Sequence, residues 1–120
     1  MDTSAITAWV EAYVRAWNSN APAEIGALFT DEVVYYTGPF DAPWQGREDI
    51  VRQWRAIQDA PGSASFRFEV LASMPDGGIV RGWAHDHHPP REFSNIWLVR
   101  LDEHGRCREF TEWWMECRNA

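Results

Sequence analysis

From Phe93 to Glu116 the chain reads Phe-Ser-Asn-Ile-Trp-Leu-Val-Arg-Leu-Asp-Glu-His-Gly-Arg-Cys-Arg-Glu-Phe-Thr-Glu-Trp-Trp-Met-Glu. Two runs rich in aromatic and β-branched residues flank Asp102-Glu103-His104-Gly105, whose Gly supplies the positive φ of a tight turn, so the stretch predicts a long antiparallel hairpin. Side chains alternate along a strand. Asn95, Trp97, Val99 and Leu101 therefore share one face of the first arm, and Phe110, Glu112 and Trp114 one face of the second. A face that sets two Trp beside an Asn and a Glu is not an ordinary core surface, because each unpartnered buried polar group costs roughly 1–3 kcal/mol. It reads as the wall of a pocket.

The rest of the chain must supply what closes that wall. Ile6, Trp9, Val10, Tyr13 and Trp17 fall at helical spacing, with Thr3 or Ser4 placed to cap the helix. Asn18-Ser19-Asn20 breaks it, and Pro22 opens a short second helix carrying Ile25, Leu28 and Phe29. Glu32 to Thr37 alternates Val33, Tyr35 and Thr37 against Val34 and Tyr36, a strand ended by Gly38-Pro39. Pro43-Trp44-Gln45-Gly46 reads as a turn. A third helix follows, with Glu48 and Asp49 at its N-terminus and Ile50, Val51, Trp54 and Ile57 as its buried stripe, ending near Gly62. Then come strands: Phe66, Phe68, Val70, Ala72 and Met74 alternating with polar neighbours, a turn at Pro75-Asp76-Gly77-Gly78, and a strand from Ile79 to Asp86. His87-His88-Pro89-Pro90 interrupts before the hairpin. This order predicts one α+β domain over residues 1–120, with helices on one face of a curved sheet.

Composition narrows the partners. A chain of 120 residues buries roughly two thirds of its unfolded surface without metal or disulfide support. Eight Trp imply either a thick core or an aromatic-lined cavity. A net charge of −7 disfavours nucleic acid and anionic membranes as partners. Cys107 and Cys117, ten residues apart on one strand and so roughly 33 Å distant, are expected to be free thiols. They fall on the face opposite Trp114, toward a subunit contact. The sequence shows neither a secretory leader pattern nor an apolar run of about 20 residues, so the expected location is the cytoplasm.

Tyr13-Val14-Arg15-Ala16-Trp17-Asn18, Ile25 to Val33, Gly46-Arg47-Glu48-Asp49-Ile50 and Arg100 to Arg106, in this order and spacing, resemble the nuclear transport factor 2-like superfamily, in particular its SnoaL-like and ketosteroid-isomerase-like branches. The resemblance spans nearly the whole chain. It implies a cone-shaped curved mixed sheet wrapped around three helices (a cystatin-like barrel), an apolar cavity open at one end, and homodimers through the outer sheet face. The superfamily hosts isomerases, cyclases, dehydratases, hydrolases and non-catalytic binders, so membership alone does not fix an activity. Tyr13 falls where steroid isomerases keep the Tyr that donates to a developing oxyanion. Their carboxylate base would fall at Thr37, whose hydroxyl cannot abstract a carbon-bound proton near neutral pH. Their protonated acid would fall at Trp97, with Asn95 a substitute donor. Steroid isomerisation by the usual Tyr/Asp/Asp set is therefore not expected.

Candidate proton carriers are Glu112, whose carboxyl pKa apolar walls would raise, and His85, which shares a strand face with Trp83. Tyr13 and Asn95 would stabilise charge on oxygen. Trp17, Thr37, Trp83, Trp97, Phe110 and Trp114 are the expected pocket lining, while Trp54 is assigned to helix-sheet core. Each has a plainer alternative: a salt bridge or opposite register for Glu112, a core phenol for Tyr13, a solvated loop histidine for His85. His85-Asp86-His87-His88 has zinc-like ligand types but nothing placed to complete four ligands. No metal is expected. With no nucleotide fingerprint or phosphate loop, no cofactor is implied. The functional expectation is a pocket for a small hydrophobic or aromatic molecule with cofactor-independent acid–base chemistry, the alternative being a non-catalytic ligand-binding or dimeric interaction module of the same fold.

Overall fold

The structure is a computed structural model that describes residues 3–57, 64–87 and 90–117. Three helices, α1 (Ser4–Ser19), α2 (Pro22–Ala27) and α3 (Arg47–Ala56), lie against strands β1 (Phe29–Tyr36), β2 (Trp44–Gln45), β3 (Ala64–Met74), β4 (Gly77–His87), β5 (Pro90–Leu101) and β6 (Cys107–Glu116). The six strands form one sheet in the order β2-β1-β6-β5-β4-β3. Only β1 and β6 run parallel; every other neighbouring pair is antiparallel. This is the α+β architecture that the element order implied, with the mixed sheet that the family resemblance implied.

The apolar spacing of α1 explains its seat. Ile6, Trp9, Val10, Tyr13 and Ala16 are buried, and the Trp9 indole N–H donates to the Leu28 carbonyl at 2.9 Å, tying α1 to the end of α2. Asn20 ends α1 in the left-handed conformation, φ 53°, and its N–H donates to the Ala16 carbonyl at 2.8 Å, a stop for which Asn is the usual choice after Gly. Helix α3 turns Ile50 and Trp54 inward. Phe29, Val33 and Tyr35 of β1, Trp97, Val99 and Leu101 of β5, and Cys107 and Phe110 of β6 complete the core.

Several boundaries differ from expectation. Thr3 precedes α1 without a side-chain capping bond, and α3 ends at Ala56, with Gly62 outside the described residues. Trp44-Gln45, expected as a turn, is a short strand paired with Val34 and Tyr35. Strand β4 begins at Gly77 and β5 at Pro90; the side chain of His87 and the whole of His88 and Pro89 lie outside the described residues. A register shift between Val70 and Ala72 moves Ala72 off the face of Phe66, Phe68 and Val70. A second shift, between Arg100 and Leu101 on the pairing with β6, turns Cys107 inward, where it is fully buried. Cys107 is thus core rather than subunit contact, because a bulge inserts one residue and inverts the alternation. Both cysteines are free thiols, and burial pushes the Cys107 thiol up to about 12.

Candidate functional site

At one end of the core, between the helices and the inner face of the sheet, the packing leaves a cavity of about 380 Å³. Helix α1 gives it Tyr13 and Trp17, with Asn20 just beyond; β1 gives Tyr35, with Thr37 one residue past its end; β2 gives Trp44; α3 gives Trp54, with Ile57 at its C-cap; and β6 gives Glu112 and Trp114. Trp114 and Ile57 are largely exposed, whereas Tyr13, Tyr35 and Trp54 are buried.

Glu112 is half-buried in this aromatic setting. Its Oε2 accepts a hydrogen bond from the Trp97 indole N–H at 2.9 Å, across the β5–β6 pair in which Trp97 and Glu112 stand opposite each other. Burial pushes the carboxyl pKa up to about 7, against the opposing pull of the Trp97 hydrogen bond. Desolvation of a carboxylate costs more than one neutral donor returns. Near neutrality the group therefore exchanges a proton readily.

Two phenols face each other beside it. The hydroxyls of Tyr13 and Tyr35 are 2.8 Å apart, one donating to the other, so the second retains its own proton for another acceptor. Both phenol pKa values are raised well above their ordinary value, first by burial and further by nearby negative charge, that of Glu112 included. They remain protonated donors. Their rings are held by packing: Tyr13 contacts Trp97 at 4.7 Å and Trp54 at 4.9 Å, and Tyr35 stacks on Trp44 at 4.9 Å.

Of the residues nominated from sequence, Tyr13, Trp17, Thr37, Glu112 and Trp114 come together here. His85 and Trp83 do not. In the β4–β5 register Val80 stands opposite Trp97 and Gly82 opposite Asn95, so the inward positions of β4 are Val80, Gly82 and Ala84, and Trp83 and His85 face away from the cavity. His85 Nδ1 lies 3.3 Å from Glu92 Oε1, and the guanidinium groups of Arg67 and Arg81 lie over the Trp83 ring, at 4.3 and 5.3 Å. Small residues point inward there because the Phe66 ring occupies the space: a Cβ on Gly82 would come within 2.1 Å of Phe66. Asn95, Trp97 and Phe110 do face inward, but they are buried behind the cavity lining. Trp97 supports Glu112 from beneath and Phe110 packs between Tyr13 and Tyr35, at 5.6 and 4.5 Å.

Tyr35, Trp44, Trp54, Ile57 and Asn20 complete the lining without having been nominated. Tyr35 shares the alternation of Thr37 and could have been found from it; Trp44 could not, since a two-residue strand leaves no periodicity. Among the described residues no group of three or more His, Cys, Asp or Glu side chains is placed to hold a metal ion.

A curved sheet closed by helices around an aromatic cavity that is open at one end and holds a carboxyl defines a nuclear transport factor 2-like protein. The chain belongs to the SnoaL-like domain family, whose profile matches residues 10–110. Solved structures with the same fold include a candidate ketosteroid isomerase of Kribbella flavida (19% identity, TM-score 0.73, covering 98% of this chain and 82% of that one). Another is a ketosteroid isomerase-like protein of Erwinia carotovora atroseptica (18%, TM-score 0.65, covering 91% and 92%). A third is an LEH-like epoxide hydrolase of M. tuberculosis (19%, TM-score 0.64, covering 94% and 84%). At such identity the likeness is one of fold. A search of curated proteins gives no match.

Proposed function

We propose that the protein binds a small, mostly apolar or aromatic molecule in this cavity and moves a proton on it without a cofactor, as an isomerase, cyclase or lyase does. The observation that carries the reading is the convergence of Glu112 with the Tyr13–Tyr35 pair in one aromatic cavity. A carboxyl whose pKa stands near 7 has enough of both forms at neutral pH to take a proton and return it. Charge developing on a ligand oxygen during that step would be met by the free hydroxyl proton of the phenol pair. Thr37, a neutral hydroxyl on the rim, would orient the ligand rather than exchange protons.

The mutual hydrogen bond of the two phenols also favours a second reading, a binding module in which these polar groups serve only the fold. Native mass spectrometry of freshly purified protein would reveal a retained small molecule and the subunit count together. Ligand identified this way, incubated with protein in D₂O, should gain deuterium at carbon; exchange should fall at least a hundredfold in Glu112→Gln and about tenfold in Tyr13→Phe. Retention without exchange selects the binding module. Neither retention nor stabilisation by any apolar compound would sink both. We further propose a homodimer through the outer sheet face and a cytoplasmic location; among the described residues no helix is long and apolar enough to cross a membrane.

A further inference from the structure

We infer that the ligand of the Glu112 cavity carries a positively charged nitrogen, as a quaternary ammonium or a protonated tertiary amine does. The inference rests on reading the cavity as a ligand site and adds the sign of the ligand's charge. Four indoles, those of Trp17, Trp44, Trp54 and Trp114, line the space together with the two phenols. Indole is the aromatic ring that attracts a cation most strongly, and a cage of such rings is the usual means of holding an alkylated ammonium group.

The second observation is electrostatic. The chain contains no Lys, and its basic side chains are all Arg apart from the histidines; among the described residues none of them lines the cavity. Glu112 Oε2 is held by Trp97, while Oε1 makes no hydrogen bond among the described residues. The charged form of Glu112 therefore lacks a counter-charge, although the fold pairs its carboxylates with Arg elsewhere, as at Asp31–Arg47, Glu116–Arg91 and Asp76–Arg108. An anionic ligand would be repelled both by Glu112 and by a molecule of net charge −7. A neutral one would displace water from the carboxyl and return at most a hydrogen bond, not the missing counter-charge. A cation satisfies the rings and the carboxylate at once, in surroundings of low polarity where opposite charges attract more strongly than in water.

Proton linkage follows. The titratable groups near Glu112 are Tyr13 from α1 and Tyr35 from β1, both held protonated; from β5 the neutral Trp97 indole donates to it, and from α3 the neutral Trp54 indole lines the same cavity. Of these groups Glu112 alone titrates near neutrality, burial having raised its carboxyl to about 7. A cation beside it lowers that value, so cation binding releases a proton and strengthens as pH rises from 6 to 8. The ionised carboxylate is also the form that acts as a base.

The test uses the full chain and two probes of one shape, 3-hydroxyphenyltrimethylammonium and 3-tert-butylphenol, which differ in a charged nitrogen against a carbon. Binding is read by tryptophan fluorescence, and released protons by calorimetry in two buffers of different ionisation heat. The expected result at pH 7.5 is at least tenfold tighter binding of the cation, with proton release, and a preference reduced to about threefold or less in Glu112→Gln. Should that variant not fold, the wild-type pH profile decides: cation affinity should rise several-fold between pH 6 and 8 while that of the neutral probe does not. Equal or tighter binding of the neutral probe overturns the inference and leaves the cavity standing as an apolar ligand site. Binding of neither probe at millimolar concentration overturns the inference and the ligand site together.

Discussion

Glu112 sits under two opposed influences, burial that favours its neutral form and the Trp97 N–H that favours its charged one, and the first is the larger. The consequence for stability has a definite sign. A carboxyl whose folded pKa is raised, here from 4.5 to about 7, contributes stability that is fully present below the unfolded value and is lost as pH rises through the folded one. On the order of 3 kcal/mol is at stake between those limits. Thermal unfolding followed from pH 5 to 8 should show the wild type losing several degrees relative to Glu112→Gln; parallel curves would mean the carboxyl is well hydrated. Replacing Trp97 by Phe removes the opposing donor. The Glu112 pKa should then rise above 7 in a carboxyl-carbon NMR titration, with a loss of about 1–3 kcal/mol in stability from the unpaired oxygen and the smaller ring. These residues were legible in the sequence, because period-two alternation alone put Glu112 between Phe110 and Trp114, and Trp97 on the facing arm. Trp83 and His85 show the limit of the same reasoning. Alternation tells which residues share a face but not which face is inside, and a large Trp is a poor guide where Phe66 from the neighbouring strand has already taken the interior.

At the scale of elements, the turn between β3 and β4 fastens one end of the sheet. The turn after β3 brings Asp76 to the β5–β6 end of the sheet, where its carboxylate accepts from Arg100 at 3.3 Å and from Arg108 at 2.7 Å, and its carbonyl accepts from the Leu101 N–H at 2.6 Å. Gly77 makes this approach sterically feasible. It has φ +152°, and a Cβ there would lie 1.8 Å from the Val99 carbonyl oxygen, a backbone atom already held by the β4–β5 ladder. Gly77→Ala should therefore pry the start of β4 from β5 and cost about 2–4 kcal/mol in urea denaturation, whereas the ordinary Gly-to-Ala change within a strand stabilises. A cost under about 1 kcal/mol would show that the turn relaxes freely. The turn itself could be read from Pro75-Asp76-Gly77-Gly78. The bulges could not: those at Leu71 and near Arg108 depend on how neighbouring strands are matched, and nothing local to either segment announces the extra residue. The inward rotation of Cys107 is the visible result.

For the molecule as a whole, the outer face of the sheet remains to be accounted for. Leu71, Leu98, Trp113 and Met115 are 48%, 37%, 56% and 73% exposed. They are not scattered, since Ile79 stands opposite Leu98, Ile96 opposite Trp113, and Ser94 opposite Met115 in adjoining strands. An apolar band thus crosses β4, β5 and β6, edged by the Arg81–Glu69 and Arg100–Glu109 pairs. A monomer seldom leaves so continuous a band in water. With overall dimensions of 40 × 31 × 28 Å, one sheet face can supply the roughly 800 Å² per partner of a stable interface. Two copies meeting through this band would cover it while leaving the cavity, on the other side of the sheet, open in each. Sedimentation equilibrium should accordingly give a dimer at micromolar concentration, and Trp113→Glu or Leu98→Arg should give a folded monomer. Because the cavity lies wholly within one chain, these monomers should bind a cavity ligand within about threefold of wild type. A wild type that stays monomeric at 100 µM or so would deny the band this role, and a monomeric variant that lost ligand binding would show that the sheet needs its partner to hold Glu112 and Trp97 in place.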